Sequence, residues 1–475
     1  MSTKVAARLL RYSLKPSSVK PRPPALQPRS VGFASSRTSP YPSLAPTPKR
    51  GIKIGYVFSA LAFLGISATS YGLYQFYSSF TVYPDSATHP IRSKLRAAIR
   101  AESTQEYQRA ASFFQQAYDL CLDLYKTAPP GSTEDDGSQL IKLSGIAVRW
   151  GGMWESIGQL DKAIEVYDVG FQPIADALEA SNSLSVTGGG GGDSSSAPPT
   201  LEQVKRGAGI ALKLGDLWVT LGATNPQLNR AAQSEAERYY SWAVGELMRL
   251  SLTPEQKRKV RSELDRQEKG EAPAPAEEKE KKEEKGIDLP GWIGEVELVG
   301  AFERLGDLYS RQGRIELAQP LLQQAIATLY PAPKKDGPSQ PPPPIARRCH
   351  AATLMNNLSS SLVTAPSPTA QAIEASSRWA RQAFNVSNSC KREAEKQRGT
   401  SAAAVVPLRE REEVECELTA VVACYNLGKL AEMSKDSAAA EQWFVKSEKL
   451  ASGLGLRDAA LQARESLRRL KHPTA

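Results

Sequence analysis

LVGAFERLGDLYSRQGRIELAQPLLQQAIATLYP, residues 298–331, decides the fold. Its apolar and small residues recur at intervals of three and four, the period of one helix face. Phe302, Leu305, Gly306 and Tyr309 share a face of a first helix. Gly313 supplies a turn, and Ala318, Leu322 and Ala325 line a second helix that Pro331 closes. Gly and Ala at facing positions let the two helices approach closely. The large residues then fill the space between one pair and the next.

The same spacing recurs along the chain. Gly151 and Ala163 are twelve residues apart, as are Gly306 and Ala318, and Gly428 and Ala440. An Ala followed four residues later by a large side chain appears at Ala110/Phe114, Ala163/Tyr167, Ala236/Tyr240, Ala318/Leu322, Ala375/Trp379 and Ala440/Phe444. Leu214, Gly215 and Trp218 supply another first helix, and Met355 to Leu358 (MNNL) one more. These positions resemble the 34-residue tetratricopeptide (TPR) pattern, with its W-x2-L-G-x2-Y start and later Ala, aromatic and Pro positions. The expectation is an all-α fold over residues 91–475, a TPR-type helical repeat array of about six helix pairs. Arg457 to Leu470 (RDAALQARESLRRL) is amphipathic and is expected to cap it, because a terminal repeat needs a polar outer face.

Four segments interrupt the repeat. Residues 187–199 are rich in Gly and Ser, and residues 267–286 (QEKGEAPAPAEEKEKKEEKG) are charged and nearly free of apolar side chains. Neither composition buries enough apolar surface to fold. Residues 331–344 are Pro-rich and read as a spacer, and residues 391–411 read as a further polar insertion.

Ahead of the array lies IGYVFSALAFLGISATSYGLYQF, residues 54–76, which carries no charge. As a helix it rises about 34 Å, enough to cross a hydrocarbon core of about 30 Å. Tyr71, Tyr74, Phe76, Tyr77, Phe80 and Tyr83 gather at its exit like an interfacial aromatic belt. One transmembrane helix is expected here. Residues 1–50 are basic, Ser- and Pro-rich and free of acid, and MSTKVAARLLRYSLK forms an amphipathic cationic turn set. That is the composition of a mitochondrial presequence or a disordered basic segment. Lys49, Arg50 and Lys53 precede the span, and the first acid, Asp85, follows it. The positive-inside tendency then keeps the N-terminus in the matrix and sends the array into the intermembrane space.

The net charge of +9 suggests a nucleic-acid partner until its distribution is read. Residues 1–53 hold eleven Lys and Arg and no acid, which leaves 49 basic against 51 acidic residues for the rest. The body therefore makes no electrostatic case for nucleic acid. The five cysteines (Cys121, Cys349, Cys390, Cys416, Cys424) form no C-x2-C pair and fit no closed disulfide framework. They read as small core hydrophobes. The three histidines, His89, His350 and His472, are far apart, so no metal is expected, and no cofactor either.

No catalytic constellation is present: the chain has no phosphate-loop, zinc-protease or nucleophile-elbow motif. An enzyme is not expected. Asp216, Glu303 and Asp307 sit on predicted repeat helices, where solvated faces are the default. A binding surface remains. In TPR arrays the first helix of each unit lines a groove. That register points to Val148, Gly152 and Glu155, to Glu303, Asp307 and Ser310, to Asn356 and Ser360, and to Tyr425, Lys429 and Glu432. The chaperone-binding TPR class clamps a peptide carboxylate with Lys-x3-Asn on a first helix. No first helix here carries that motif, and Gly152 and Asp307 stand at equivalent positions.

A presequence, one span and a TPR array together resemble the fungal TPR adaptor subunit of the mitochondrial inner-membrane i-AAA protease. Residues 149–170, 301–322 and 352–362 carry the likeness best. The resemblance implies a membrane-anchored, non-enzymatic adaptor. Its implied partners are AAA protease subunits and unfolded or misfolded substrate proteins, delivered for proteolytic quality control. Two alternatives stay open: an assembly or quality-control factor for a respiratory complex, and a TPR import receptor of the outer membrane.

Overall fold

One turn, repeated five times, organises the helices. After α1 (Ile91–Ser103), Gln105 takes a left-handed backbone with φ 63°, and α2 (Tyr107–Thr127) begins two residues later. Gly158 does the same between α3 (Asp136–Ser156) and α4 (Leu160–Val186). Gly313 serves α7 (Glu295–Gln312) and α8 (Ile315–Leu329), and Lys435 serves α11 (Val414–Met433) and α12 (Ser437–Gly453). Gly455 joins α12 to α13 (Arg457–Lys471). In each turn the next amide reaches back five residues, as in Glu106 N to Ala101 O (2.8 Å) and Arg314 N to Tyr309 O (2.9 Å). This is the Schellman arrangement, which satisfies carbonyls that the helix end would otherwise leave bare.

The computed structural model describes residues 89–127, 136–186, 200–251, 295–331, 342–398 apart from 366, and 413–472, with a few positions between 67 and 86. The chain divides into Met1–Pro84 and Asp85–Ala475. Among the described residues there are thirteen helices of this size and no strand. They form six antiparallel pairs and a terminal helix. The third and fifth pairs are α5 (Leu201–Thr224) with α6 (Asn229–Ser251) and α9 (Ile345–Leu362) with α10 (Ala370–Arg398). Thr200 starts α5 with a reciprocal capping box to Gln203.

Within a pair, a small residue on the first helix meets a large one on the second. A side chain added at Gly428 would stand 2.7 Å from the Phe444 ring, and one at Gly151 2.8 Å from Tyr167. Gly306 lies under Leu322, and Gly215 under Tyr240, in the same way. Ala98, fully buried, stands twelve residues before Ala110 in the first pair. The fifth pair departs from the expected register. Ser376 and Ala380 are buried, whereas Ala375 and Trp379 are only half-buried. Ser376 Oγ donates to Ser359 O at 2.7 Å, so two small polar residues meet where other pairs set Gly against a large side chain.

Successive pairs pack across the interruptions. Phe171 on α4 meets Tyr239 and Trp242 on α6 edge-on, past residues 187–199. Ala236 and Tyr240 share a buried cluster with Leu305, Leu308, Tyr309 and Ala318, past residues 252–294. The segment expected to be a polar insertion at 391–411 begins as helix: α10 continues through Arg398. Cys390 and Ala394 hold its buried side against Ile345, Cys349 and Cys416, which explains why this polar stretch stays ordered. The insertions at 187–199 and 267–286, most of 331–344, and residues 399–411 lie outside the described residues.

Two further readings meet the structure here. The cysteines are all buried, as small core residues, but Cys349 and Cys416 are joined in a disulfide with Cα atoms 4.7 Å apart. Their separation of 67 residues hides that α9 and α11 are neighbouring first helices. Residues 1–50 and the expected span at 54–76 lie outside the described residues, apart from Ser67, Ser70 and Tyr71. No helix among the described residues is long and apolar enough to cross a membrane.

Candidate binding face

The first helices α1, α3, α5, α7, α9 and α11, followed by α13, are stitched in order by polar side chains. Arg149 bonds Glu102 at 2.6 Å, and Lys213 bonds Glu155 at 2.6 Å. Arg304 bonds Asp216 at 3.0 Å, and His350 bonds Glu303 at 3.0 Å. Asn426 Nδ2 donates to Asn356 Oδ1 at 3.0 Å and to Ser360 Oγ at 3.1 Å. Arg469 closes the series on Glu432 at 3.3 Å. The side chains follow from helix geometry: Arg149, Lys213, Arg304 and Asn426 each stand two residues before the glycine that faces their own second helix and reach the preceding first helix, and Glu155 and Glu432 stand one turn after it and meet the following one.

The structure brings most of the sequence-predicted residues into this seam. Glu155 also accepts from the Tyr167 hydroxyl at 3.5 Å. Ser310 Oγ donates to Gly306 O and accepts from Ser361 Oγ, both at 2.8 Å. Tyr425 OH pairs with Ser466 Oγ at 3.3 Å, and Lys429 bonds Glu432 at 2.8 Å. Asn356 is 4 % exposed, so it faces its neighbour helix rather than open groove. Val148 and Gly152 are half-buried, and Gly152 lies beside the Tyr167 hydroxyl. Asp307 stands apart, its nearest cation being Arg311 at 4.0 Å.

Glu102, Arg149, Lys213, Asp216, Arg304, His350, Asn426 and Arg469 complete the seam and escaped sequence reading as binding-face residues. Their signal is pairwise: each is a polar group complementary to one on an adjacent first helix. The solvated reading of Asp216 and Glu303 is therefore incomplete. Asp216 accepts the Tyr240 hydroxyl at 2.7 Å as well as Arg304.

Electrostatics follow this pairing. Burial, reinforced by Asp216, pushes the Tyr240 phenol far above its usual range. Burial and then Glu155 push Tyr167 up to about 12. The hydrogen bond to Glu303 raises His350 against the downward push of burial, with Glu415 adding to it. Burial works to raise Glu432, yet Lys429 and Arg469 hold it below the usual carboxylate range. Burial raises Asp307 to about 6; Arg311 opposes this and Glu303 adds to it. A face of this kind offers charges, amides and hydroxyls already oriented by their neighbours, which suits recognition of a polypeptide.

Residues 299–327, nearly all of the α7–α8 pair, match the family model "Tetratricopeptide repeat". That stretch is a TPR, a repeat whose business is protein contact. No curated protein matches the chain. Among solved structures, the apo form of RapI is 9% identical, covering 80% of this chain and 70% of that one, with a TM-score of 0.38. BtubC (BKLC) from P. vanneervenii is 15% identical over 68% of this chain and 99% of that one, with a TM-score of 0.29. The TPR2AB-domain:pHSP90 complex of yeast Sti1 is 11% identical over 80% and 98%, with a TM-score of 0.22. At such scores these likenesses carry no argument; the architecture rests on the helix pairs themselves.

Proposed function

We propose that this protein is a membrane-anchored TPR adaptor of the mitochondrial i-AAA protease. In this reading it sits in the inner membrane with its array in the intermembrane space. There it binds misfolded or unfolded proteins and passes them to the protease. The observation that carries the adaptor role is the first-helix face, stitched without interruption from α1 to α13, behind a charge-free 23-residue segment at 54–76. An array held together in this way presents one extended surface to a polypeptide. Confinement to the same membrane as the protease raises the effective concentration, so weak contacts are sufficient. The presequence-like residues 1–50 and the charge asymmetry around the span support the location.

The test is a mild-detergent pull-down of the tagged full chain from mitochondria, with mass spectrometry, beside a protease-protection assay on mitoplasts. Recovery of an AAA protease in stoichiometric amount is expected, with the array digested only after the outer membrane is ruptured. Recovery of respiratory-complex subunits instead would replace this reading with that of an assembly factor. Digestion in intact mitochondria would place the array in the cytosol and overturn the topology.

A further inference from the structure

Three of the five cysteines meet in one place. Cys349 on α9, Cys390 on α10 and Cys416 on α11 are all fully buried, and their sulfurs lie within 4.8 Å of one another. Ile345, Val386 and Ala394 pack around them. Cys121 and Cys424, also buried, stand outside the cluster. Sequence reading expected no metal here because it found neither a C-x2-C pair nor clustered histidines. The convergence is tertiary: two consecutive first helices and the second helix between them each bring one sulfur.

We propose that Cys349, Cys390 and Cys416, when reduced, form a trigonal three-thiolate site for copper(I), and that the Cys349–Cys416 disulfide closes this site. The size fits. A metal–sulfur bond of about 2.3 Å places three trigonal sulfurs about 4.0 Å apart, within the 4.8 Å that bounds the trio. Donor type selects the ion. The donors in this group are three sulfurs, and no histidine or carboxylate joins them among the described residues. Structural zinc takes four ligands almost without exception, whereas all-thiolate sites of low coordination favour the soft cuprous ion. Two ion pairs flank the trio: Arg348, only 7 % exposed, with Glu393 at 2.6 Å, and Lys391 with Glu417 at 3.4 Å. Each pair is neutral as a whole, so the two place dipoles rather than net charge beside the trio. Cys416 lines a cavity of about 230 Å³ together with Lys391, Glu417 and Lys449.

The chemistry balances. A dithiol reductant gives two electrons and two protons to the Cys349–Cys416 bond and becomes a disulfide itself. Copper(I) then forms three Cu–S bonds and displaces three protons, with no change in its own oxidation state. Oxidation of the pair removes two of the three donors, so the bound and disulfide states exclude each other. This inference is independent of the adaptor reading and fails or stands without it.

The test uses the full chain in detergent under argon, titrated with copper(I) against a chromogenic copper(I) chelator. The prereduced protein is expected to take about one copper per chain with a thiolate-to-copper absorption band, and the unreduced protein at least about tenfold less. Cys390→Ser is expected to lose that uptake while keeping the wild-type melting curve in its disulfide form; Cys424→Ser is expected to keep it. X-ray absorption on the wild type should count three sulfurs around copper, a readout that holds even if Cys390→Ser fails to fold. Equal uptake before and after reduction, copper retained by Cys390→Ser, two sulfurs instead of three, or zinc displacing copper at equal concentration would each overturn the proposal.

Discussion

Arg304 on α7 holds Asp216 on α5 at 3.0 and 3.1 Å, and so joins residues 88 positions apart across the interruption at 252–294. The same carboxylate accepts the Tyr240 hydroxyl from α6 at 2.7 Å. One side chain thus ties three helices and two repeat units. A second link, Arg314 to Glu237 at 2.8 Å, spans the same gap. Long insertions cost a repeat array little when each neighbouring pair is fastened independently of the chain between them, because loop closure entropy grows slowly with length.

Asp216→Ala is therefore expected to cost more than its ion pair alone. The Asp216 and Arg304 side chains are each 41 % exposed, so the pair itself contributes at most about 1 kcal/mol. Losing the acceptor for the Tyr240 hydroxyl adds about 1 kcal/mol. Urea unfolding should show a loss of about 2 kcal/mol for Asp216→Ala. Arg304→Ala should lose about half of that or less. Equal losses for the two variants would show that the Tyr240 bond contributes nothing.

Lys435 offers a gain in stability. It takes φ 63° at the turn where Gly158, Gly313 and Gly455 stand in the equivalent turns. A side chain there strains against its own backbone by about 1–2 kcal/mol, partly offset by the greater freedom glycine has when unfolded. Lys435→Gly is expected to raise stability by about 0.5–1 kcal/mol in thermal or urea melts. A loss would mean that the lysine side chain has a stabilising contact that outweighs the strain.

The helices were legible because their signals are local. Gly313 and the twelve-residue steps to Ala163, Ala318 and Ala440 each lie within one tight pair, where Schellman turns keep the spacing constant. The fifth pair escaped that reading because its turn is longer, so the Ala375/Trp379 spacing pointed one residue away from Ser376 and Ala380. The insertion at 391–411 looked unstructured by composition, and only burial of Cys390 and Ala394 against α9 and α11 shows why its first turns are helical. The face residues divide in the same manner. Glu155, Glu303 and Glu432 follow from helix register, but their partners Lys213, His350 and Arg469 belong to the next first helix, whose alignment only the packing defines.

Two glycines with opposite surroundings test the packing rule. A Cβ at Gly428 would press on the Phe444 ring at 2.7 Å, whereas one at Gly245 in α6 meets nothing within 4 Å. Gly428→Ala is expected to destabilise by about 1–3 kcal/mol through overpacking. Gly245→Ala is expected to stabilise by about 0.5–1 kcal/mol, since alanine favours helix. Chemical denaturation of both variants measures the difference, and the same sign in both would sink the rule.

Asp307 gives the array a pH dependence of unusual sign. Its carboxyl is raised from the ordinary 3.8 to about 6, chiefly by burial, with Arg311 opposing and Glu303 adding to it. Between about pH 4 and 6 the folded protein keeps a proton that the unfolded chain has released. Stability from this group therefore falls as pH rises through that window, opposite to a salt-bridged aspartate. Above pH 6 the penalty is complete. The full shift corresponds to about 3 kcal/mol, but the side chain is 36 % exposed and solvent screens it, so about 1 kcal/mol is the expected effect. Asp307→Asn, which keeps the shape without the charge, should be more stable than wild type by about 1 kcal/mol at pH 7, with the difference vanishing below pH 4. Urea melts of both proteins from pH 4 to 7.5 provide the measurement. A difference that does not change with pH would mean that the carboxyl titrates normally and that its surroundings do not resist the charge.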